Sequence, residues 1–438
     1  MPLAGFPIDK RSALLLDKEN MTKYSISPMS SLYELYLRHP RISTDSRRIE
    51  PDSVFFALRG ASFDGNRFAA DALEKGAAYA VVDDPSLPNT RPDKADRLIV
   101  VDDALQTLQT LAREHRRELG LPILAITGSN GKTTTKELVS RVLAEKYEVY
   151  ATRGNLNNHI GVPLTLLAMT RDVEFGIVEM GASACGEIAL LCSIAEPNYG
   201  IVTNIGRAHL EGFGGPEGVR RGKGELYDWL ARTGGRVFVP ANDPVLMSMA
   251  AERETLAAEC YPTTLADGME HHLEGDYNRF NVAAAVAVGR YFGVDDERIR
   301  YAVGSYRPDN HRSQKIRTGQ NTLILDCYNA NPSSMQASLV NFRQEPLEGC
   351  TRKILILGDM LELGDWSDAE HRHIISLAAE IPDARILLVG PHFAKAYRSL
   401  ESRPADTTLY PSQEVLAAEL RKHPVSQALI LVKGSHSI

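Results

Sequence analysis

The chain has 438 residues, of which 43% are hydrophobic, and it carries a formal net charge of −7 at pH 7. This length predicts two to four domains of roughly 100 to 200 residues each, with ordinary hydrophobic cores. The acidic balance and the lack of a long Lys/Arg run argue against a general nucleic-acid-binding protein, whereas a small anionic ligand needs only local positive charge.

The cysteines and the apolar segments indicate the compartment. Five scattered cysteines form no CxxC pair, which is typical of a reduced cytoplasmic protein. No apolar stretch approaches the ~18 residues of a membrane span, and residues 1–20 are too poor in apolar residues for a secretory signal. We therefore expect a cytoplasmic protein that meets no membrane. Residues 1–20 would be an upstream extension if Met21 is the natural start.

The first hundred residues predict a small α/β domain over residues 1–101. Short apolar segments alternate there with turns and one helical stretch. Strands are predicted at 54–58, 78–82 and 98–101, and a helix is predicted at 68–75.

The next segment predicts a phosphate-binding loop. A helix predicted over 104–119 leads into the buried strand Ile123–Thr127, which breaks into Gly128-Ser-Asn-Gly131-Lys132-Thr133-Thr134 and a second helix. The glycines allow a tight turn whose N–H groups, together with the helix end, can hold phosphate oxygens. Lys132 would reach the β- and γ-phosphates, and Thr133 would bind Mg²⁺.

This loop departs from the usual spacing in one respect. A phosphate loop ordinarily begins with a glycine five residues before its second one, and here that place is Ile126. The loop is therefore a shortened type. An ordinary strand, turn and helix with an exposed lysine is the alternative interpretation.

The rest of the chain predicts two further α/β units. The central one, over residues 102–307, has strands at 148–151, 174–179, 199–204 and 236–240 and closes with a helix at 278–293. The third, over residues 308–438, follows a hinge near 305–312 and has strands at 323–326, 353–357, 385–390 and 428–432. Strands separated by helical lengths imply mostly parallel sheets. The predicted fold class is α/β with a central phosphate-loop domain, a smaller N-terminal domain and a Rossmann-like C-terminal domain.

Polar side chains follow the predicted central strands. Glu179 and Asn204 stand at strand ends, and His209 and Lys223 come soon after. Ligands of parallel sheets gather at these carboxyl ends, and a carboxylate and an imidazole beside a phosphate loop could hold a divalent metal. Taken singly, Glu179 could be a strand-end acid, His209 a loop histidine and Lys223 a solvated charge.

Three polar segments, 153–163, 326–332 and 357–364, are ambiguous. Each is rich in turn-forming residues, with asparagines in the first two. Such residues either bind a ligand or simply cap the helix that follows.

Together these motifs resemble those of the Mur ligases, from about residue 43 to the C-terminus. The matching motifs stand in the correct order and include Thr44-Asp-Ser-Arg47, Phe55-Phe-Ala-Leu-Arg-Gly60 with Asp64-Gly65, the Thr-Gly-x-x-Gly-Lys-Thr loop, Asn155-Leu-Asn-Asn158 with Gly161-Val-Pro163, Glu179-Met-Gly-Ala, Asn204-Ile-Gly with His209, and Lys223-Gly-Glu. The shortened phosphate loop fits this family.

The C-terminal motifs select one branch of the family. Tyr328-Asn-Ala-Asn-Pro-Ser-Ser-Met335 and Leu357-Gly-Asp-Met-Leu-Glu-Leu-Gly364 are similar to those of ligases that join D-Ala-D-Ala to UDP-MurNAc-tripeptide. Ligases that add the third residue carry Asp-Asn-Pro-Arg, which is absent here. The resemblance implies a monomeric, ATP-dependent enzyme of peptidoglycan precursor synthesis that works through an acyl phosphate. It leaves the third residue of the tripeptide open between diaminopimelate and lysine.

The resemblance also implies the site residues. Those for ATP are Gly128, Ser129, Asn130, Gly131, Lys132, Thr133 and Thr134 in the loop, Asn278 and Asn281 at the adenine, and Arg312 and Asp326 from the C-terminal domain. Those for the other two substrates are Ser46, Arg47, Asp64, Asn157, Asn158, Tyr328, Asn329 and Asn331. Two Mg²⁺ ions would be held by Thr133, Glu179, His209 and Lys223. The catalytic residues would be Lys132, Glu179, His209 and Lys223.

Lys223 matches a lysine that the family carries in carbamylated form. Addition of CO₂ to a neutral amine turns a cation into an anion whose oxygens can ligate Mg²⁺. The sequence departs from the family pattern at Tyr277, where a histidine is common, and at His436, where an arginine is usual.

Two alternative functions remain at this point. One is a Mur-type ligase with another acceptor, such as a folylpolyglutamate-like or third-residue enzyme. The other is a nucleotide-dependent switch protein that binds ATP without ligation.

Overall fold

The computed structural model describes residues 28–308 and 314–435, and it confirms the predicted α/β class with three domains. The possible extension 1–20, the end of the predicted hinge, Arg312 and His436 lie outside the described residues.

The N-terminal domain has a four-stranded parallel sheet of order β1-β2-β5-β6 and a small antiparallel β3-β4 pair. Its elements are α1 (Pro28–Arg38), β1 (Ile42–Ser43), β2 (Val54–Phe56), β3 (Arg59–Gly60), β4 (Phe63–Asp64), α2 (Ala69–Glu74), β5 (Tyr79–Val82), α3 (Leu87–Thr90) and β6 (Leu98–Val100). Short 3₁₀ helices span Gly65–Phe68 and Pro92–Arg97. Helix α1 packs on the next domain, where the Tyr36 hydroxyl donates to the Leu167 carbonyl at 2.6 Å.

The central domain has six parallel strands in the order β12-β11-β10-β7-β9-β8. Its strands are β7 (Ile123–Thr127), β8 (Val149–Ala151), β9 (Phe175–Glu179), β10 (Tyr199–Val202), β11 (Arg236–Pro240) and β12 (Ala257–Tyr261). Its helices are α4 (Ala104–Leu119), α5 (Lys132–Ala144), α6 (Gly161–Leu167), α7 (Glu187–Ala195), α8 (Leu210–Phe213), α9 (Pro216–Thr233), α10 (Pro244–Ala251), α11 (Asn278–Tyr291) and α12 (Asp296–Ser305), with a 3₁₀ turn at Thr263–Ala266.

Local sequence explains why these elements begin and end where they do. Helix α4 starts after Asp103, whose carboxylate accepts the Gln106 N–H at 2.8 Å, and it ends at Gly120, whose φ is +63°. Every residue of β7 and β9 is buried, because helices cover both faces of the parallel sheet.

The C-terminal domain has a six-stranded sheet of order β13-β14-β18-β15-β16-β17, in which only β13 is antiparallel to its neighbour. Its strands are β13 (Gln314–Arg317), β14 (Thr322–Leu325), β15 (Arg352–Gly358), β16 (Ala384–Val389), β17 (Thr407–Tyr410) and β18 (Ala428–Lys433). Its helices are α13 (Pro332–Gln344), α14 (Ser367–Ala379), α15 (Pro391–Arg398) and α16 (Gln413–Lys422), with a 3₁₀ turn at Gly364–Trp366.

The topology places a crevice at the phosphate loop. From β7 the chain runs to β8 and β9 on one side and then crosses to β10 on the other side of β7. Such a switch point is where parallel sheets bind ligands. A cleft of about 950 Å³ opens there and continues onto the C-terminal domain.

None of the helices in the described part of the chain combines the length and the apolar character that crossing a membrane requires.

Candidate active site

The two loop glycines are required by close packing as well as by backbone conformation. Gly128 has φ +140° and Gly131 has φ +80°, values that side chains disfavour. A Cβ on Gly128 would lie 2.0 Å from Thr203 Oγ1, and one on Gly131 would lie 2.7 Å from Asn281 Oδ1. The loop therefore turns tightly between β7 and α5, as the sequence predicts.

The end of β10 fixes the shape of this loop from the other side. Asn204 Oδ1 accepts the Asn130 N–H at 3.1 Å, and Asn204 Nδ2 donates to the Asn130 carbonyl at 2.9 Å. The Ser129 N–H donates to the Asn204 carbonyl at 3.1 Å. These bonds fix the conformation of the phosphate loop.

Lys132 begins α5 and lines the cleft. Its ammonium donates to the carbonyls of Gly128 at 2.8 Å and Ser129 at 3.3 Å. The cation therefore lies directly over the loop, where phosphate oxygens could replace those carbonyls as its partners.

Glu179 ends β9 and is 2% exposed. Its Oε1 accepts from Thr133 Oγ1 at 3.2 Å and from Asn157 Nδ2 at 2.9 Å. Its Oε2 is buried, and no group within residues 28–308 and 314–435 forms a hydrogen bond with it. A buried carboxylate oxygen without a partner is costly, so this donor set fits a cation beside the phosphate loop.

The carboxylates around the cleft are spread out. The described part of the chain contains no group of three or more His, Cys, Asp or Glu side chains close enough to hold a metal ion. A site with one or two carboxylates suits Mg²⁺ that is also bound by substrate phosphates, which is a common arrangement for this ion.

His209 immediately precedes α8 and lines the cleft. Burial lowers the pKa of its imidazole, and the charges of Lys132 and Lys223 act in the same direction against the opposing effect of Glu362. The Nδ1 atom contacts Glu362 Oε2, which comes from the C-terminal domain. Glu362 belongs to the ambiguous segment 357–364, but its contact with His209 was not predicted from the sequence.

Lys223 lies within α9 and is 1% exposed. Burial lowers its pKa to about 7, and the charge of Lys132 contributes to this shift. Its Nζ donates to the Ala182 carbonyl at 3.1 Å and lies 5.0 Å from the centre of the Phe213 ring. The interpretation of Lys223 as a solvated charge is therefore wrong. With this pKa, a substantial fraction of the buried amine is neutral near pH 7.

The two asparagines predicted at the adenine belong to one hydrogen-bonded chain. Asn281 Oδ1 accepts from Thr135 Oγ1 at 3.0 Å, and Asn281 Nδ2 donates to Asn278 Oδ1 at 2.8 Å. Asn278 Nδ2 donates in turn to the Glu274 carbonyl at 2.7 Å. Both side chains line the cleft next to Tyr277.

The C-terminal domain contributes the opposite wall of the cleft. Asp326 follows β14 and pairs through Oδ2 with the buried Lys433 at 2.6 Å. Tyr328 and Asn329 also line the cleft. Asn331 Nδ2 donates to Asn130 Oδ1 of the phosphate loop at 2.8 Å, so the two domains meet directly at this loop.

The cleft unites most of the predicted residues. Those that line it are Ser129, Asn130, Gly131, Lys132, Thr134, Asn157, Asn158, Glu179, His209, Asn278, Asn281, Asp326, Tyr328, Asn329 and Asn331. The predicted residues outside its lining are Gly128, Thr133, Lys223, Ser46, Arg47 and Asp64.

Several of these residues also have local structural roles. Arg47 pairs with Asp45 at 2.8 Å, and the Asp64 carboxylate accepts the Asn66 N–H at the start of a 3₁₀ helix. Asn158 Oδ1 accepts the N–H groups of Ile160 and Gly161 at the start of α6. Asp64 and Asn158 therefore cap helices, and the substrate contacts predicted for these residues stay predictions.

The chain matches three family models. They are described as Mur ligase family, catalytic domain, over residues 40–116; Mur ligase middle domain, over 126–265; and Mur ligase, glutamate ligase domain, over 311–436. The UDP-N-acetylmuramoyl-tripeptide–D-alanyl-D-alanine ligase of Bacillus subtilis strain 168 is 37% identical over 359 residues, which is 76% of each chain. The chain belongs to the Mur ligase family.

Other relatives extend this match over most of the chain. The Escherichia coli K12 protein of the same name is 31% identical over 430 residues, covering 90% of this Mur ligase and 91% of the relative. The crystal structure of MurF from Acinetobacter baumannii superposes with a TM-score of 0.78 at 30% identity, covering 91% and 90% of the two chains. MurF from Thermotoga maritima in complex with ADP gives 0.76 at 25% identity, covering 92% and 95%.

Proposed function

We propose that this Mur ligase joins D-alanyl-D-alanine to UDP-N-acetylmuramoyl-tripeptide in an ATP-dependent reaction. The names of its relatives and the ADP-bound Thermotoga structure support this assignment. We further propose that it acts as a monomer in the cytoplasm, with domain boundaries near residues 101 and 307.

One structural observation carries the proposal. The phosphate loop, the Glu179 carboxylate and the Tyr328 to Asn331 segment face one another across a single cleft. A nucleotide held on the loop would therefore present its phosphates to substrates held between the central and C-terminal domains. Such an arrangement suits a ligase that brings ATP and two further substrates together.

The reaction has two steps. The terminal carboxylate oxygen of the tripeptide attacks the γ-phosphorus of ATP, the bond to the β,γ-bridging oxygen breaks, and an acyl phosphate and ADP form. The amine of D-alanyl-D-alanine then attacks the acyl carbon, loses a proton and expels orthophosphate. Lys132 and the loop N–H groups neutralise charge during phosphoryl transfer. Correct orientation of the two reactants can contribute about 7 to 11 kcal/mol to the lowering of the barrier.

The residues present fit two Mg²⁺ ions and a carbamate on Lys223. Thr133 and Glu179 would hold one ion and His209 the other, with the carbamate of Lys223 as a further ligand. Bound Mg²⁺ would supply positive charge to the phosphates. The buried Oε2 of Glu179 and the depressed pKa of Lys223 support this part of the proposal.

Substrate contacts are proposed for all three domains. Ser46, Arg47 and Asp64 belong to the N-terminal domain, which we assign to the UDP end of the substrate. Asn157 and Asn158 would contact the peptide side. Tyr328, Asn329 and Asn331 would contact the incoming dipeptide.

The test is the release of orthophosphate from ATP by the purified chain. Release that requires both UDP-MurNAc-tripeptide and D-alanyl-D-alanine supports the proposal. Release without them indicates a nucleotide switch, and release with folate and glutamate indicates a different Mur-type ligase. Either of these results would overturn the assignment.

The carbamate has its own test. Lys223→Ala should abolish activity, and added short carboxylates should restore part of it by replacing the missing anion. Unchanged activity in this variant would remove Lys223 from the site.

A further inference from the structure

Glu362 reaches His209 from the other side of a domain boundary. It lies in the segment that follows β15, 153 residues further along the chain, and its Oε2 contacts His209 Nδ1. His209 lines the cleft, whereas Glu362 does not. The imidazole therefore contacts a carboxylate of the C-terminal domain and also lines the ligand cleft.

The side chains of His209 and Glu362 are 30% and 58% exposed, but the backbone on both sides of the contact is held together. The Glu211 N–H donates to the Glu362 carbonyl at 3.2 Å. Leu210 shares a hydrophobic core with Met360 and Leu363, so the neighbours of both residues are buried together. The contact therefore depends on packed backbone and not only on two mobile side chains.

Both residues also adopt an unusual backbone conformation. His209 has φ +53° and Glu362 has φ +61°, in the left-handed region that residues other than glycine rarely occupy. Such strain persists only where the surroundings impose it, and it is concentrated at functional sites. Here both residues of one contact have this backbone conformation.

The chemistry of this contact determines which ring nitrogen is available. A carboxylate on Nδ1 holds the proton there and leaves Nε2 with a lone pair. Carboxylates behind metal-binding histidines fix the tautomer and the ring orientation in the same way. Glu362 would therefore present Nε2 to the cleft.

We propose that Glu362 is a positioning residue that fixes the tautomer of His209, so that the C-terminal domain completes this part of the site when it packs on α8. The proposal rests on the role proposed above for His209. It predicts that the site is fully formed only when the two domains are in contact.

The tautomer can be measured in the protein without substrates. Histidine labelled with ¹⁵N reports which ring nitrogen carries the proton, and a His209→Gln variant assigns the signal. At about pH 8, above the ordinary histidine pKa, the native protein should carry the proton on Nδ1. Glu362→Ala should shift the population towards the Nε2–H form, whereas Glu362→Gln should retain Nδ1–H because its amide oxygen still accepts.

Glu211→Gln is the matched control. It removes the same charge two residues from His209, and the Glu211 side chain is exposed. The tautomer should not change in this variant. An unchanged tautomer in Glu362→Ala, or an equal shift in Glu211→Gln, would overturn the proposal.

A second readout is the Mg²⁺ concentration that half-saturates the ligase reaction. Loss of a partner behind a metal-binding histidine typically costs 10- to 100-fold in affinity or activity, and Glu362→Ala should raise this concentration within that range. Glu211→Gln should leave the half-saturating Mg²⁺ concentration unchanged. An equal rise in Glu362→Ala and Glu211→Gln would contradict the proposal. The tautomer measurement does not depend on catalysis. If the native chain showed no ligase activity, that result would therefore overturn the proposed function but not the positioning role of Glu362.

Discussion

Asn331 joins the two halves of the cleft, because its amide both caps α13 and donates to Asn130 of the phosphate loop. Its Oδ1 accepts the Ser334 N–H at 2.9 Å, and its Nδ2 reaches Asn130 Oδ1 at 2.8 Å. The capping role stabilises the C-terminal domain, whereas the second contact connects that domain to the nucleotide site.

Two substitutions at Asn331 separate these roles. Asn331→Ser keeps an oxygen that can cap the helix but is too short to reach Asn130, so we expect near-native thermal stability with activity reduced about 2- to 10-fold, the worth of one hydrogen bond. Asn331→Ala should lose about 1 kcal/mol of stability in addition. Thermal melts and steady-state kinetics distinguish the two variants. Equal activity of Asn331→Ser and the native protein would show that the Asn331–Asn130 hydrogen bond does not contribute to activity.

A glycine substitution tests the phosphate loop against a control with the same backbone strain. Gly131 has φ +80° and Gly234 has φ +72°, but an added Cβ meets Asn281 only at Gly131 and meets nothing within 4 Å at Gly234. Both alanine variants should lose about 1 to 2 kcal/mol of stability from left-handed strain, and Gly131→Ala should lose more because its Cβ also meets Asn281. Only Gly131→Ala should raise the dissociation constant of ATP, by tenfold or more, and a tenfold change corresponds to about 1.4 kcal/mol of binding free energy. Calorimetric titration with ATP measures this constant. Equal affinities of the two variants would contradict the prediction that only a Cβ at position 131 disturbs the nucleotide site.

Glu179→Gln removes the charge of the buried carboxylate while keeping its shape. The amide oxygen can still accept from Thr133 and Asn157, but the amide nitrogen cannot bind a cation. We expect activity to fall about 100-fold or more, since metal stabilisation of the transition state is worth several kcal/mol.

The same variant should unfold at an equal or higher temperature in chelator, because the substitution removes a buried negative charge that has no cation beside it under those conditions. Retained activity, or a large loss of stability in chelator, would contradict the assigned role of Glu179.

The depressed pKa of Lys223 predicts a pH dependence of stability. Below about pH 7 this lysine is protonated in both states, and above its unfolded pKa of about 10.4 it is neutral in both. Between these values the unfolded chain binds more protons, so the free energy of unfolding should rise with pH through this window. Denaturant titrations in CO₂-free buffer measure the slope. Lys223→Met should show a smaller slope, and identical slopes would contradict burial of a titrating amine.

Sequence patterns predicted the elements that carry strong periodicity or apolar runs. The bounds of α4, β7 and β11 agree with the predictions, because caps and continuous apolar residues mark them. Strands β1, β3, β4, β12, β13 and β17 were missed. They lie at sheet edges, and polar residues such as those of Gln314–Arg317 give them no apolar run.

The candidate site was predictable where chemistry follows a local motif. The phosphate loop, Glu179 and Lys223 could be named from their spacing and family resemblance, although the burial of Lys223 could not. The contact of Glu362 with His209 was not predicted, because the two residues are 153 residues apart in the sequence and lie in different domains. Contacts across a domain boundary leave no periodic signal in the sequence.

Transfer of oxygen from substrate to phosphate tests the central claim most directly. UDP-MurNAc-tripeptide labelled with ¹⁸O in its terminal carboxylate should be incubated with ATP, D-alanyl-D-alanine and the enzyme, and both products should be analysed by mass spectrometry. Ligation through an acyl phosphate predicts a pentapeptide product together with orthophosphate that carries one ¹⁸O atom. Unlabelled orthophosphate, or no pentapeptide, would contradict the account.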